Sequence, residues 1–372
     1  MKRLFVLILI LSSQGLAGEP RARNVILFLG DAAGIPTINA AGIYGYGQPR
    51  SLFLQNMPHI ALMETSSASR WVTDSASGMT AIVTGKKTHN GVISQSDAAV
   101  RGKKDGEPLK TILEYAEEHG LSTGVVSNSS MASATPAACY AHVNDRRKAG
   151  EIFAQVLTPP FGNGVDVIIG PGRKAIFEAT QKLDLDLAPA LASKGYRLYD
   201  SMEAIPPDAD RVVALLSSGE FDLGKATERA IDILGRNPKG FFLMVESDLH
   251  TEDILQGLER AVAFDQIIRR TAERKEAGDT LILFTADHSY DFRMHDGKKG
   301  EPLLTDSEKA ASVDDQESVR WKNVRRDGGH TGEEVLVAAQ GPGAERVRGV
   351  LLNTDLFGIM MAAYGWGNLK GR

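Results

Sequence analysis

The residues best equipped for chemistry lie in Thr73-Asp74-Ser75-Ala76-Ser77-Gly78-Met79-Thr80-Ala81, continuing into Thr84-Gly85-Lys86-Lys87-Thr88. An aspartate, a serine and then small helix-compatible residues present a hydroxyl at a helix N-terminus, where free N–H groups and the dipole favour an oxyanion or phosphate. Ser75 is thus a candidate nucleophile, although Asp and Ser in such a place also serve as plain N-caps. Acids recur at the ends of apolar runs elsewhere. Asn24-Val25-Ile26-Leu27-Phe28-Leu29-Gly30 ends in Asp31, Gly240-Phe241-Phe242-Leu243-Met244-Val245 ends in Glu246, and Thr280–Thr285 is followed by Ala286-Asp287-His288. Two further histidines are His250, close behind Glu246 and Asp248, and His330 within Gly328-Gly329-His330-Thr331-Gly332. One strand-end acid is equally well a helix cap in the following loop. Three of them, with a histidine beside the last, make the donor set of a polynuclear metal site, in which carboxylates and imidazoles suit Zn²⁺ together with Mg²⁺ or a similar hard cation.

The elements that must position these groups are short apolar runs, the pattern of strands buried on both faces. Helical spacing over Glu107–His119, Asp222–Leu234 and about Glu252–Glu273 alternates with strand-like runs over Ser122–Ser127, Val165–Gly170 and Glu334–Ala339. That alternation specifies a layered α/β fold, and a doubly wound sheet places its ligands at the carboxyl ends of its strands. From about 289 to 329 the chain is polar and rich in Lys, Asp and Gly, which predicts a surface excursion.

Length and composition bound the rest. The 372 residues, 42% hydrophobic and 24% charged, are those of an ordinary globular protein with one large domain. A formal net charge of −5 and short, interrupted basic runs argue against nucleic-acid binding. Arg146-Arg147-Lys148, directly behind Asp145, is the basic cluster that stays in view. Met1-Lys2-Arg3, the apolar Leu4–Leu11 and Gly15-Leu16-Ala17 read as a signal peptide over residues 1–17. The mature domain, 18–372, is then expected to be secreted or periplasmic and without a membrane span. Its single Cys139 leaves no internal disulfide, so stability must come from the core and from bound metal. Thr84-Gly85-Lys86-Lys87-Thr88 lacks the upstream glycine of a P-loop, which disfavours a P-loop NTPase.

Taken together, these segments resemble the alkaline phosphatases. The resemblance rests on Asn24–Asp31, Thr73-Asp74-Ser75-Ala76 through Asn90-Gly91-Val92-Ile93, Ala134-Thr135-Pro136-Ala137-Ala138 with Tyr140-Ala141-His142-Val143, Phe242–Glu246, Thr285-Ala286-Asp287-His288 and Gly329-His330-Thr331-Gly332. It implies a three-layer α/β/α sandwich with a mostly parallel central sheet, hydrolysing small-molecule phosphate monoesters through a phosphoseryl intermediate on Ser75. It further implies that Asp31, Asp287 and His288 hold the zinc that activates Ser75. His250 and His330, with Asp248, would hold a second zinc. Asp31, Thr135 and Glu246 would hold a third metal, usually magnesium, and Arg146 would grip the outer phosphate oxygens. A homodimer is the family's common assembly.

Two departures from the family pattern stand out. Ser133 occupies the place of an Asp or His two residues before the Thr, which alters the third metal's water shell or its metal preference. Asp248 and His250 also crowd behind Glu246 where the family spaces them out, so Asp253 is the fallback carboxylate. The shortened segment motivates two alternatives: a phosphodiesterase of the same superfamily, and a non-catalytic phosphate- or metal-binding protein.

Overall fold

The computed structural model describes residues 21–218, 220–311 and 318–367; the signal peptide read over residues 1–17 lies outside them. The chain builds β1 (Asn24–Asp31), β2 (His59–Glu64), β3 (Ser122–Ser127), β4 (Val167–Pro171), β5 (Arg197–Tyr199), β6 (Val212–Leu216), β7 (Phe241–Asp248) and β8 (Thr280–Thr285), then strands Val335–Gln340 and Gly349–Leu352. In space these ten form one sheet, ordered Gly349–Leu352, β2, Val335–Gln340, β8, β1, β7, β3, β4, β6, β5. Val335–Gln340 runs antiparallel to β2 and β8, and every other pairing is parallel. Helices cover both faces in a three-layer α/β/α sandwich. β1 and β8 are buried along their whole length, as expected of strands covered on both sides.

Register is what gathers the site. Asp31 of β1 lies opposite Asp248 of β7, Leu29 lies between Glu246 and Thr285, and Ser127 lies beside Glu246. The carboxyl ends of β3, β7, β1 and β8 therefore finish together. β7 runs two residues beyond the expected end at Glu246, because its ladder with β1 continues to the Asp31–Asp248 pair. Within the excursion, Arg293–Met294, Val324–Arg326 and Val319–Arg320 make a small antiparallel sheet. At its base Ser289–Tyr290 pairs with His330–Thr331, which returns His330 to the residues directly behind His288.

Four helices lie near these strand ends or brace them: α1 (Ile35–Tyr46), α2 (Ser75–Thr84), α3 (Ile112–Glu118) and α4 (Ala134–Ala137). α3 begins later than the helical spacing from Glu107 suggests, because Thr111 and Glu114 close a capping box at its start. No helix among the described residues is long and apolar enough to cross a membrane.

The last turn of α3 buries Glu117, whose Oε2 accepts from the backbone N–H groups of Asn163 (2.9 Å) and Gly164 (2.8 Å), and whose Oε1 accepts from Thr123 Oγ1 at 3.2 Å. Burial outweighs these donors and lifts its pKa from 4.5 to about 7. A raised acid favours the folded state while protonated, so this stability is full below pH 4.5 and is lost as pH rises through 7. Glu117→Gln keeps the acceptor for the two amides and loses the charge. Urea melts should show the variant gaining on the parent by ~2–3 kcal/mol between acid and neutral pH; parallel pH profiles for the two proteins would contradict this.

Candidate active site

Ser75 is the first residue of α2, and Asp74 is its N-cap. Asp74 Oδ1 accepts from the backbone N–H of Ser77 and of Gly91, each at 3.1 Å, while Oδ2 accepts from Arg146 Nη1 at 3.1 Å. Burial works against the ionised carboxyl, yet Arg146 and the two amides outweigh it and hold its pKa below the ordinary aspartate value. Asp74 thus carries the cap and ties Arg146 to the helix end that presents Ser75. Asp145 engages Arg101 and Arg147 instead, which leaves Arg146 to the site.

Ser75 is buried, with its Oγ 3.4 Å from Asp31 Oδ2 and 3.3 Å from His288 Nε2. His288 Nε2 lies 3.3 Å from Asp31 Oδ1 and 3.6 Å from Asp287 Oδ2. Asp287 is fixed through its other oxygen, which accepts from the backbone N–H of His288 (3.0 Å) and of Ala32 (3.3 Å). Ala32, directly after β1, adopts a left-handed backbone with φ 63°, a conformation that costs a non-glycine residue energy and is common at functional sites. Asp31, Asp287 and His288 can together hold a metal ion, and so can His250, His288 and His330; His288 belongs to both groups, and its Nε2 can serve one ion at a time.

Each histidine is oriented for ligation by an oxygen behind it. His288 Nδ1 donates to the carbonyl of Ser289 (3.1 Å) and His330 Nδ1 to the carbonyl of Thr73 (3.2 Å), so each Nε2 carries the free lone pair. His250 Nδ1 faces Asp248 Oδ1 at 2.7 Å. The His288 and His330 rings stack at 3.7 Å, and His250 lies 5.7 Å from each. Burial, with the neighbouring His330 and His250, pushes His288 down to about 4, so it is neutral and ready to ligate at neutral pH. Burial also disfavours the charged form of His250, but Asp31 and Asp248 overcome that and raise it to about 10.

The buried acids fit cations. Asp31, Glu246 and Asp287 are all raised by burial first; repulsion from Asp248 adds to the rise of Asp31, and repulsion from Asp31 adds to that of Glu246 and Asp287. Asp31 Oδ1, Asp287 Oδ2, Glu246 Oε1 and Thr135 Oγ1 are buried without a hydrogen-bond partner among the described residues. Orphaned buried oxygens are costly, and four of them on predicted ligands are what a metal centre requires. Thr135 lies in α4, which packs on β7. Ser133 is the N-cap of that helix, without a side-chain cap bond.

Asp248 and Asp253 are placed differently. Asp248 joins neither group and instead backs His250. Asp253 caps the helix Ile254–Ala272, accepting from Gln256 N–H at 3.0 Å. Two partners escaped the sequence reading: Ser127, whose hydroxyl donates to Glu246 Oε2, and Arg260, which reaches Asp248 Oδ2 at 3.3 Å. Ser127 is itself a polar strand end, the signal that found the acids.

Gly78, one turn into α2, lets the nucleophile helix lie against the metal-binding loop. A Cβ there would stand 2.8 Å from the backbone oxygen of Asp287 and 3.2 Å from its Cβ. Gly78→Ala should therefore shift α2 against Asp287-His288 and lower kcat/KM by roughly 10- to 100-fold with every functional side chain retained. Parent-like kinetics would mean that this contact is slack.

Comparison with known proteins agrees with the geometry. A family profile described as alkaline phosphatase matches residues 22–200 and 219–317. The alkaline phosphatase of Gadus morhua is 31% identical over 333 residues, covering 73% of this chain and 70% of that protein. Alkaline phosphatase 4 of Bacillus subtilis (strain 168) is 28% identical over 417 residues, covering 91% and 88%. A histidine-to-aspartate mutant of TAB5 alkaline phosphatase, with Mg bound in its M3 site, superposes with a TM-score of 0.76 at 26% identity, covering 94% of this chain and 100% of that one. The strand-end acids, the histidines fixed by their Nδ1 atoms and the serine at the start of α2 thus have their explanation: this chain belongs to the alkaline phosphatase family of metal-dependent phosphomonoesterases.

Proposed function

We propose that the protein hydrolyses small-molecule phosphate monoesters through a phosphoseryl intermediate on Ser75, with two zinc ions and a third, magnesium-type cation. The observation that carries this reading is the convergence of Ser75 Oγ, Asp31 and His288 within 3.4 Å, beside buried carboxylate oxygens that lack hydrogen-bond partners among the described residues. Asp31, Asp287 and His288 would hold the first zinc, His250 and His330 the second, and Asp31, Glu246 and Thr135 the third cation. Bound there, the cations supply charge stabilisation to the attacking and leaving oxygens of an in-line phosphoryl transfer.

The chain's own residues do the rest. Asp31 Oδ2 lies where it can accept the Ser75 hydroxyl proton, at 3.4 Å. The N-terminus of α2 directs its dipole at the charge that develops on the phosphate. Arg146, steadied by Asp74, offers its planar fork to the outer phosphate oxygens, a task for which Lys lacks the geometry. Ser133 brings a neutral hydroxyl to the place of an Asp or His in the family, which changes the groups available around the third cation. On the reading of the N-terminal segment, this single-domain enzyme works in the secreted or periplasmic space, and the family's homodimer is its expected assembly.

The test is the rate on an aryl phosphate monoester against the matching diester, after loading with Zn²⁺ and Mg²⁺. A strong monoester preference is expected. A diester preference would transfer the site to the diesterase reading, and turnover of neither would leave a binding protein.

A further inference from the structure

Three acids around the two metal-binding groups have an oxygen without a hydrogen-bond partner among the described residues, at Asp31 Oδ1, Asp287 Oδ2 and Glu246 Oε1. Asp248 does not share this property, although it is the residue whose place after Glu246 suggests a ligand. Its Oδ1 accepts from the His250 backbone N–H at 3.1 Å and faces His250 Nδ1 at 2.7 Å. Its Oδ2 accepts from Arg260 Nη1 at 3.3 Å, and its own N–H donates to Asn128 Oδ1 at 2.8 Å. Both carboxylate oxygens are therefore engaged on the far side of His250 from Asp31, whose Oδ1 lies 3.8 Å from His250 Nε2. The pattern repeats what the Ser289 carbonyl does for His288 and the Thr73 carbonyl for His330. A carboxylate in that position fixes the tautomer and ring plane of a ligating histidine and raises its basicity.

We infer that Asp248, held by Arg260 and Asn128, is a positioning residue that aims His250 Nε2 and is not itself a metal ligand, so that the second metal position takes its protein ligands from the imidazoles of His250 and His330. The inference rests on the two-metal reading under Proposed function and deepens it. Its cause is the shortened segment: β7 continues through Asp248, and one residue later the chain turns to His250, which leaves the aspartate beside the ring of the histidine. An all-imidazole position brings no negative charge to its ion and suits borderline cations such as Zn²⁺ over hard oxygen-seeking ones.

Co²⁺ alone serves as the probe, added to metal-free parent, Asp248→Asn and Asp248→Ala proteins. The readouts are bound Co²⁺ by elemental analysis, apparent affinity by chelator competition, and the visible absorption of the saturated protein. The parent is expected to take up at least two ions. Asp248→Asn, whose amide oxygen still accepts from His250 Nδ1, should keep the stoichiometry and the absorption bands. Asp248→Ala should weaken one ion by roughly 10- to 100-fold and, once saturated, show the parental spectrum. Loss of an ion in Asp248→Asn, or an altered spectrum in both saturated variants, would identify Asp248 as a direct ligand and overturn the inference while the two-metal reading stands. A parent that binds fewer than two ions would overturn both.

Discussion

Replacing Ser75 with alanine should lower phosphate monoester turnover by roughly three orders of magnitude or more, with metal content unchanged. The substitution removes one oxygen whose site contacts are to Asp31 Oδ2 and His288 Nε2. Neither residue depends on it for position. His288 is anchored by the Ser289 carbonyl, and Asp31 by its register at the end of β1. Alanine at the first position of α2 leaves the Asp74 cap and the Arg146 contact intact, so substrate binding should survive the change. Steady-state rates with elemental analysis check this. A rate within tenfold of the parent at equal metal content would show that water attacks directly and that Ser75 is only a helix-start residue.

His288→Ala should strongly impair the site, because His288 Nε2 lies 3.3 Å from both Asp31 Oδ1 and Ser75 Oγ, at the metal position beside the nucleophile. Its loss removes one ligand from the position it shares with Asp31 and Asp287 and leaves these buried carboxylates without the imidazole between them. Turnover should fall by roughly three orders of magnitude, since the cation position beside Ser75 loses a ligand. Metal stoichiometry should fall with it. Metal binding and stability are also linked. In the parent, an ion at a thousand times its dissociation constant contributes about 4 kcal/mol, so chelation should lower Tm more in the parent than in the variant. The pH dependence has a definite sign. His250, raised to about 10 in the metal-free site by Asp31 and Asp248 against the opposing effect of burial, must lose its proton to ligate. Ion uptake should therefore release a proton, and apparent affinity should strengthen as pH rises towards that value. A His288→Ala protein that keeps both ions, or affinity that is flat with pH, would contradict this arrangement.

Much of the site is legible in the chain because its ligands end buried strands. The runs into Asp31, Glu246 and Asp287-His288 are apolar throughout, and a parallel sheet must finish such strands on one edge. His330 is harder: its approach depends on the short ladder between Ser289–Tyr290 and His330–Thr331, pairing across the excursion with no local signature. The outer elements were illegible for a different reason. β2 reads His-Ile-Ala-Leu-Met-Glu, apolar on both faces, since Ile60 and Leu62 are exposed while Ala61 and Met63 are buried, so the apolar–polar alternation that marks a half-exposed strand is missing. Gly349–Leu352 lies at the rim of the sheet and has no fully buried residue. The placement of Asp248 was beyond reach, because spacing gives its distance from Glu246 along the chain and not which side of His250 its carboxylate takes. Arg260 and Asn128, which settle that side, come from a helix and a strand end remote in sequence.

The central claim is that Ser75 carries the phosphoryl group, and the most direct test is to trap it there. The metal-loaded protein is mixed with an aryl phosphate monoester, quenched in acid and digested, and the peptide containing Ser75 is sequenced by mass spectrometry. Phosphate on Ser75, absent from the Ser75→Ala protein and from protein quenched before substrate is added, is the predicted result. An enzyme that turns over the monoester while phosphate never appears on Ser75, or appears on another residue, would contradict the account.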